Sequence, residues 1–323
     1  MKPLHFLFSF ILLIGSVSVG HGQILFKQKA TLMGSLFEIT VVDSDTLSAR
    51  KNVQAVISEI TRIENLISEW KSDSEVSEVN RSAGIQPVRV SPELFDLTKR
   101  AIYYSEISEG AFDISIAAMD KIWLFDGSMT EMPTESAIRK SVEKVGYKNI
   151  VLDSIHSTIF LRYPGMKIGF GSIGKGYAAD KGRELMKQTG VEGGIVNASG
   201  DIATWGLQPD KNPWTIGINN PFKPHKLIEV LKLKESAVAT SGSYEKYAEI
   251  DGKKYAHIIN PKSGYPSTGL TSVTIVGPST EFANALSTSC MVLGKKAALK
   301  LVKKFPAYRG VFLTDKGRVR KAN

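Results

Sequence analysis

One cysteine, Cys290, stands in a chain of 323 residues. An intrachain disulfide is excluded, even in an oxidising compartment that would let one persist. Cys290 lies in an apolar run, Ala285 to Leu293, without an electropositive neighbourhood. A buried, inert thiol is expected there rather than a nucleophile. The N-terminal apolar run, Leu4 to Val19, falls short of the ~20 residues that a spanning helix needs. Internal repeats, low-complexity tracts and long linkers are also missing. No nucleic-acid-binding motif is present, so the net charge of +9 is not read as the footprint of a nucleic acid.

What is there begins with an export signal. Lys2 gives a positive start, the apolar run follows, and Gly20 and Gly22 put small residues at the minus-three and minus-one positions of a cut after Gly22. Residues 1–22 are read as a signal peptide and 23–323 as one domain. The product is expected to be exported and periplasmic, in reach of the inner membrane. No cysteine follows the cut to carry a lipid. Positive residues gather late, from Lys295, Lys296, Lys300, Lys303 and Lys304 to Arg318, Arg320 and Lys321. They read as a solvated helix face and a basic tail. An anionic membrane surface or an anionic cofactor would also suit them.

Hydrophobic residues make up 42% and charged residues 23%, so a packed core is expected. Leu32 to Val42 alternates like a strand. Leu47 to Ser68 has helical spacing, with Val53, Val56, Ile60, Ile63 and Ile67 on one stripe. A polar stretch, Ser68 to Ala83, separates it from a helix capped by Ser91 with Pro92 at its first position. Pro133 to Val145 and Ala178 to Gln188 read as helices, and Ile150 to Leu152 with Thr158 to Leu161 as a hairpin. Gly194 to Ala198, Trp214 to Ile218, Leu227 to Leu233, Ala237 to Thr240, Tyr244 to Ile250, Val273 to Val276 and Gly310 to Leu313 read as strands. Glu281 to Leu293 reads as a helix. Helices and strands mix without strict alternation, which predicts an α+β fold, a single mixed-sheet domain.

The segment from Lys167 to Asp180, KIGFGSIGKGYAAD, carries four glycines in eight residues. Gly169, Gly171 and Gly174 match GxGxxG. A dinucleotide-dependent oxidoreductase would then need an acid at the end of the next strand, but Glu192 lies ahead of that strand. Gly169, Gly174 and Lys175 match the spacing of a P-loop, yet Gly176 stands where that loop needs a hydroxyl for magnesium. Two readings remain open. One is a backbone that approaches an anion, helped by Lys175 and a helix N-terminus. The other is a tight turn that needs glycine for positive φ.

Other motifs narrow the choice. Met33-Gly34-Ser35, SEWKSDSEVSEVN (Ser68 to Asn80), GAFDIS (Gly110 to Ser115), IGFGSIGKGYAAD, NASGD (Asn197 to Asp201), HIINPKSGYP (His257 to Pro266) and ANALST (Ala283 to Thr288) follow one another in order. Together they resemble the FAD:protein FMN transferase (ApbE) family, over nearly the whole exported portion.

The resemblance implies a magnesium-dependent reaction. FAD is cleaved at its pyrophosphate, FMN is joined through a phosphoester to a threonine of an acceptor protein, and AMP leaves. The acceptor would be a subunit of a membrane electron-transfer complex. FAD pyrophosphatase activity, or flavin binding without catalysis, is the alternative. By the same resemblance Ser172, Asn284 and Thr288 would hold Mg2+. Met33, Trp70, Ala111, Phe112, Asp113, Gly169, Gly171, Lys175 and Ile259 map near the FAD contacts. His257 would assist proton transfer, Lys175 would meet phosphate or flavin, and Asp201 would orient the metal shell. Read without the resemblance, Asp113 is a helix cap or turn residue, His257 a structural histidine and Asp201 a turn residue. Two positions depart from the family pattern, each lacking a carboxylate usual there: Gly169 and Asn284.

Overall fold

The computed structural model describes residues 22–323 apart from 224 and 245. The expected signal segment lies outside the described residues but for Gly22. The chain opens with two strands, β1 (Ile24–Leu32) and β2 (Ser35–Asp43), paired antiparallel with Leu32 opposite Ser35. Their loop is Met33 and Gly34, both at positive φ, 50° and 66°. Two left-handed residues match the twist of the flanking strands, so the hairpin closes without splaying.

In chain order there follow α1 (Thr46–Ile67), α2 (Glu75–Arg81), β3 (Val88–Arg89), α3 (Pro92–Ile107), a 3-10 turn (Ile114–Ala118) and α4 (Glu135–Ser141). Next are β4 (Ile150–Asp153), β5 (Thr158–Leu161), α5 (Gly174–Gln188), β6 (Gly193–Ala198), β7 (Asp201–Trp205), β8 (Trp214–Asn219) and β9 (Leu227–Leu233). The last are β10 (Ser236–Gly242), β11 (Tyr247–Ile250), β12 (Lys253–Ala256), β13 (Leu270–Gly277), α6 (Thr280–Lys303), β14 (Arg309–Thr314) and β15 (Val319–Ala322).

Eight strands form one sheet in the order β1-β2-β6-β7-β10-β13-β14-β15, and every pairing is antiparallel. The fold is α+β, as expected. α1, α5 and α6 pack side by side on the sheet: α1 over β1 and β2, α5 over β6 and β7, α6 over β10 and β13. Apolar side chains of the β8–β9 hairpin, Ile218, Leu231 and Leu233, cluster instead with Ile202, Val238 and Val311 of the sheet. The antiparallel connectivity also removes the dinucleotide-fold reading of GxGxxG, which requires parallel β-α-β units.

α6 is broken at Gly294, where φ is 70° and ψ 168°. The helix expected over Glu281 to Leu293 ends at that break, and a second helical piece carries the exposed Lys295, Lys296, Lys300 and Lys303. Cys290 is fully buried in the core beneath α6, and burial pushes its thiol well above the usual range. The native protein is expected to give no reaction with a disulfide reagent. One thiol per chain should appear on denaturation, and rapid labelling of native protein would refute this burial.

Candidate functional site

The glycine segment is fastened at its start. Asn80, at the end of the SEWKSDSEVSEVN motif, brackets Ile168: its Oδ1 accepts from the Ile168 N–H at 2.8 Å and its Nδ2 donates to the Ile168 carbonyl at 3.0 Å. The Gly169 N–H donates to the Ile114 carbonyl at 3.0 Å. Two motifs distant in sequence therefore grip the segment that leads into α5.

None of Gly169, Gly171, Gly174 and Gly176 has a positive φ. The tight-turn explanation of these glycines fails, and crowding or openness replaces it. A Cβ at Gly176 would lie 2.8 Å from the Thr280 carbonyl oxygen and 3.1 Å from the Glu281 Cα, so α5 and α6 meet backbone to backbone there. That is the physical reason no P-loop hydroxyl stands at this position. Around Gly171 there is no atom within 4 Å of a built Cβ, so this glycine opens onto space.

The start of α5 differs from the other α-helices. Asp45, Ser74, Ser91, Thr134 and Ser279 each cap their helix with a side-chain oxygen. α5 is preceded by Ile173, with no side-chain cap and no acidic residue in the first turn. The Gly174 N–H donates to the Phe170 carbonyl at 2.6 Å, so the amides of Lys175 and Gly176 and the positive end of the dipole are what this turn offers to a ligand.

Lys175 borders two adjoining cavities. The first, 310 Å³, is lined by Ala111, Phe112, Asp113, Gly171, Ser172, Asp201, His257, Ile259, Asn284 and Thr288. The second, 460 Å³, is lined by Met33, Gly34, Trp70, Gly171 and Lys175. Gly171 and Lys175 belong to both. The fold thus gathers every expected site residue except Gly169, which lines neither and faces Glu69 instead. Trp70 is exposed, with the Lys121 ammonium 4.7 Å from its ring centre.

α6 brings Asn284 and Thr288 to the first cavity on successive turns. Its N-terminus is pinned to α5 by Asp180, whose Oδ2 accepts from Ser279 Oγ at 2.8 Å and from the Glu281 N–H at 3.0 Å. Glu281 in turn accepts from Arg100 and from the Tyr104 hydroxyl, both at 2.8 Å. Asn284 is 9% exposed. Thr288 Oγ1 lies 3.4 Å from Ser241 Oγ, which also bonds Ser287 Oγ at 2.8 Å. Ser172, Asn284 and Thr288 offer neutral oxygens, the donor type that hard cations take. Among the described residues no three His, Cys, Asp or Glu side chains gather as a metal site. The donor set fits magnesium, and its neutrality predicts modest affinity.

Asp113 caps the 3-10 turn. Its Oδ1 accepts from the Ser115 N–H at 2.8 Å and from Ser115 Oγ at 2.6 Å, and its Oδ2 from the Tyr147 N–H at 2.8 Å. Burial raises its pKa, and these hydrogen bonds oppose the rise. The cap reading describes this carboxylate. Asp201 opens β7 and is buried, so it is a strand residue at the cavity wall rather than part of a turn. His257 is exposed, and its Nδ1 lies 3.1 Å from the Lys246 carbonyl. A carbonyl only accepts, so Nδ1 is the donor in this contact. Sequence reasoning missed Ser241 and Thr240, which also line the first cavity. Their strand was visible, but which face meets α6 was not.

The ApbE family model matches residues 33–312. A Klebsiella pneumoniae protein named FAD:protein FMN transferase is 31% identical over 90% of this chain and 89% of its own length. A Treponema pallidum protein of the same name is 30% identical, over 83% and 78% respectively. Among solved structures, the ApbE protein of Thermotoga maritima superposes with a TM-score of 0.84 at 31% identity, covering 93% of this chain and 97% of that one. The apo flavinyl transferase ApbE of Pseudomonas stutzeri gives 0.82 at 26% identity, covering 93% and 95%.

Proposed function

The chain belongs to the ApbE family, and from that membership we propose that it is an FAD:protein FMN transferase working in the two cavities joined at Lys175. One observation carries the reading. Lys175, on an uncapped helix start, shares a cavity with Ser172, Asn284, Thr288 and Asp201. That combination suits a pyrophosphate: a full positive charge, free amides and oxygen donors converge on one place.

In the proposed reaction the hydroxyl oxygen of an acceptor threonine attacks the phosphorus on the FMN side of FAD. The new P–O bond forms as the bond to the AMP phosphate breaks, and AMP leaves with the electron pair. His257 assists by taking the hydroxyl proton. Lys175, with its own amide and that of Gly176, holds the phosphate oxygens. Ser172, Asn284 and Thr288 would supply the oxygen donors for a magnesium ion, which when bound would offset the charge of the pyrophosphate. Asp201, the acid at the wall, orients this shell. Trp70 offers a ring face to the flavin, and Ala111 and Phe112 enclose the adenosine end beside Asp113. Residues 23–323 are proposed as one transferase domain. The N-terminal segment supports export, so the reaction is proposed for the periplasm, with a membrane electron-transfer subunit as acceptor.

The test is incubation with FAD and magnesium, with and without a threonine-bearing acceptor peptide. AMP release with FMN added to the peptide is expected. AMP release without peptide labelling would favour the pyrophosphatase, and bound but intact FAD a flavin-binding protein. Asn284→Asp restores an anionic ligand and is expected to tighten magnesium binding on the order of tenfold, because affinity follows the ligand charge count. A titration with unchanged or weaker affinity would remove Asn284 from the ligand set.

A further inference from the structure

Gly169 is crowded chiefly by one side chain. A Cβ built there would lie 2.5 Å from Glu69 Oε2 and 3.0 Å from Glu69 Cδ, with Ala117 Cβ also at 3.0 Å. Its φ is outside the left-handed region, so conformation does not require glycine here, and a side chain would instead have to displace the Glu69 carboxylate. The volume that a side chain at 169 would enter is filled by the carboxylate of Glu69. Sequence gives no hint of the pairing: Glu69 lies in the turn after α1, and Gly169 leads into α5.

Glu69 lines the 460 Å³ cavity and also a 720 Å³ cavity, and Trp70 lines both. Lys167 and Lys121 are the cations that face it, and burial raises its pKa against their pull. The other acid of the 460 Å³ cavity, Glu64, is engaged: its Oε2 accepts from the Met33 N–H at 2.9 Å, and its Oε1 lies 3.8 Å from Lys71 Nζ. Asp113, at the opposite end of the site, is engaged by Ser115 and Tyr147. Glu69 therefore stands beside Trp70 as an acceptor held by charge rather than by a cap.

We propose that Glu69 is a substrate-binding residue, its carboxylate replacing the one that position 169 lacks and accepting a hydrogen bond from the ribityl-flavin half of FAD beside Trp70. The identity of the ligand rests on the function proposed above. An ionised carboxylate only accepts, so it selects a donor on the ligand. Flanking by two lysines limits its repulsion of the nearby phosphates. The site loses no carboxylate at Gly169, since the group is delivered from another element.

The experiment measures FAD, FMN and ADP affinities in metal-free buffer for wild type, Glu69→Ala, Glu69→Gln, Gly169→Asp and the double variant Glu69→Ala with Gly169→Asp. Glu69→Ala should weaken FAD and FMN about tenfold or more, the scale of a charged hydrogen bond, and leave ADP within about twofold. Gly169→Asp alone forces two carboxylates into one volume and should weaken FAD comparably. The double variant should regain most of the wild-type FMN affinity. Glu69→Gln keeps the volume and the fold, so weaker FMN binding by it isolates the charge. FMN affinity unchanged in Glu69→Ala, or a double variant no better than Glu69→Ala, overturns the proposal. Equal losses for FMN and ADP, with a lowered melting temperature, would mean that Glu69 only supports the fold and would also overturn it. Wild-type protein that binds neither FAD nor FMN overturns the proposed function as well.

Discussion

Gly176→Val is expected to abolish FAD turnover and to lower the melting temperature. The nearest atoms to a Cβ at 176 are the carbonyl oxygen and carbon of Thr280, at 2.8 and 2.9 Å. Backbone at a helix start cannot rotate aside as a flexible side chain can, so α6 must move off α5. Overpacking of this kind costs roughly 1–3 kcal/mol. The motion is aimed at the site as well. Thr280 opens α6, Asp180 of α5 binds Ser279 and the Glu281 N–H, and Asn284 follows one turn later. Moving the helix start separates Lys175 and Ser172, on the α5 side, from Asn284 and Thr288. Thermal unfolding together with AMP release from FAD would check this. Gly171→Ala is the control, because its Cβ meets no atom within 4 Å and stability should hold. Wild-type stability and turnover in Gly176→Val would show that the contact between α5 and α6 does not set the site.

Periodicity made much of this fold legible. All five residues of the stripe read on α1, Val53, Val56, Ile60, Ile63 and Ile67, are buried, and the Ser91–Pro92 signal marks the start of α3. Missed elements share a cause: tertiary contacts, not local pattern, define them. β1 alternates exposed Leu25 and Lys27 with partly buried neighbours, a weak signal for an edge strand. α2 is one short helix inside a polar stretch, held by the Ser74 cap and by burial of Val76 and Val79. β7 is buried throughout although it opens with an acid. β15 hides in the basic tail, where Lys321 and Arg309 both reach Glu229.

The site was legible in a different way. Motif order pointed to the residues, and the fold then brought Lys175, Asn284, Thr288, His257 and Asp201 to one wall. The roles of the glycines were not legible, because a sequence does not say whether glycine serves conformation, crowding or openness. Here Gly176 answers to the backbone of α6, Gly169 to the Glu69 carboxylate and Gly171 to open cavity. Three causes stand behind one motif.

Lys175→Ala should lower kcat/KM for AMP release by roughly 10²–10³, the range for loss of one preorganised charge-stabilising group. Among the described residues its ammonium is the one lysine or arginine charge common to both cavities. Charge builds on the leaving AMP phosphate as its P–O bond breaks, so the lost interaction should weigh more on kcat than on FAD affinity. Stability should move the other way. A lysine in the first turn of a helix opposes the dipole, and α5 has neither a side-chain cap nor an acid there to offset it. Removing the charge is expected to raise stability by about 0.3–1 kcal/mol. Lys175→Arg keeps the charge on a longer, planar group and should recover only part of the rate. Slower turnover in a protein that melts at the same or a higher temperature is the signature of a residue kept for chemistry. Equal falls in both would instead make Lys175 part of the scaffold.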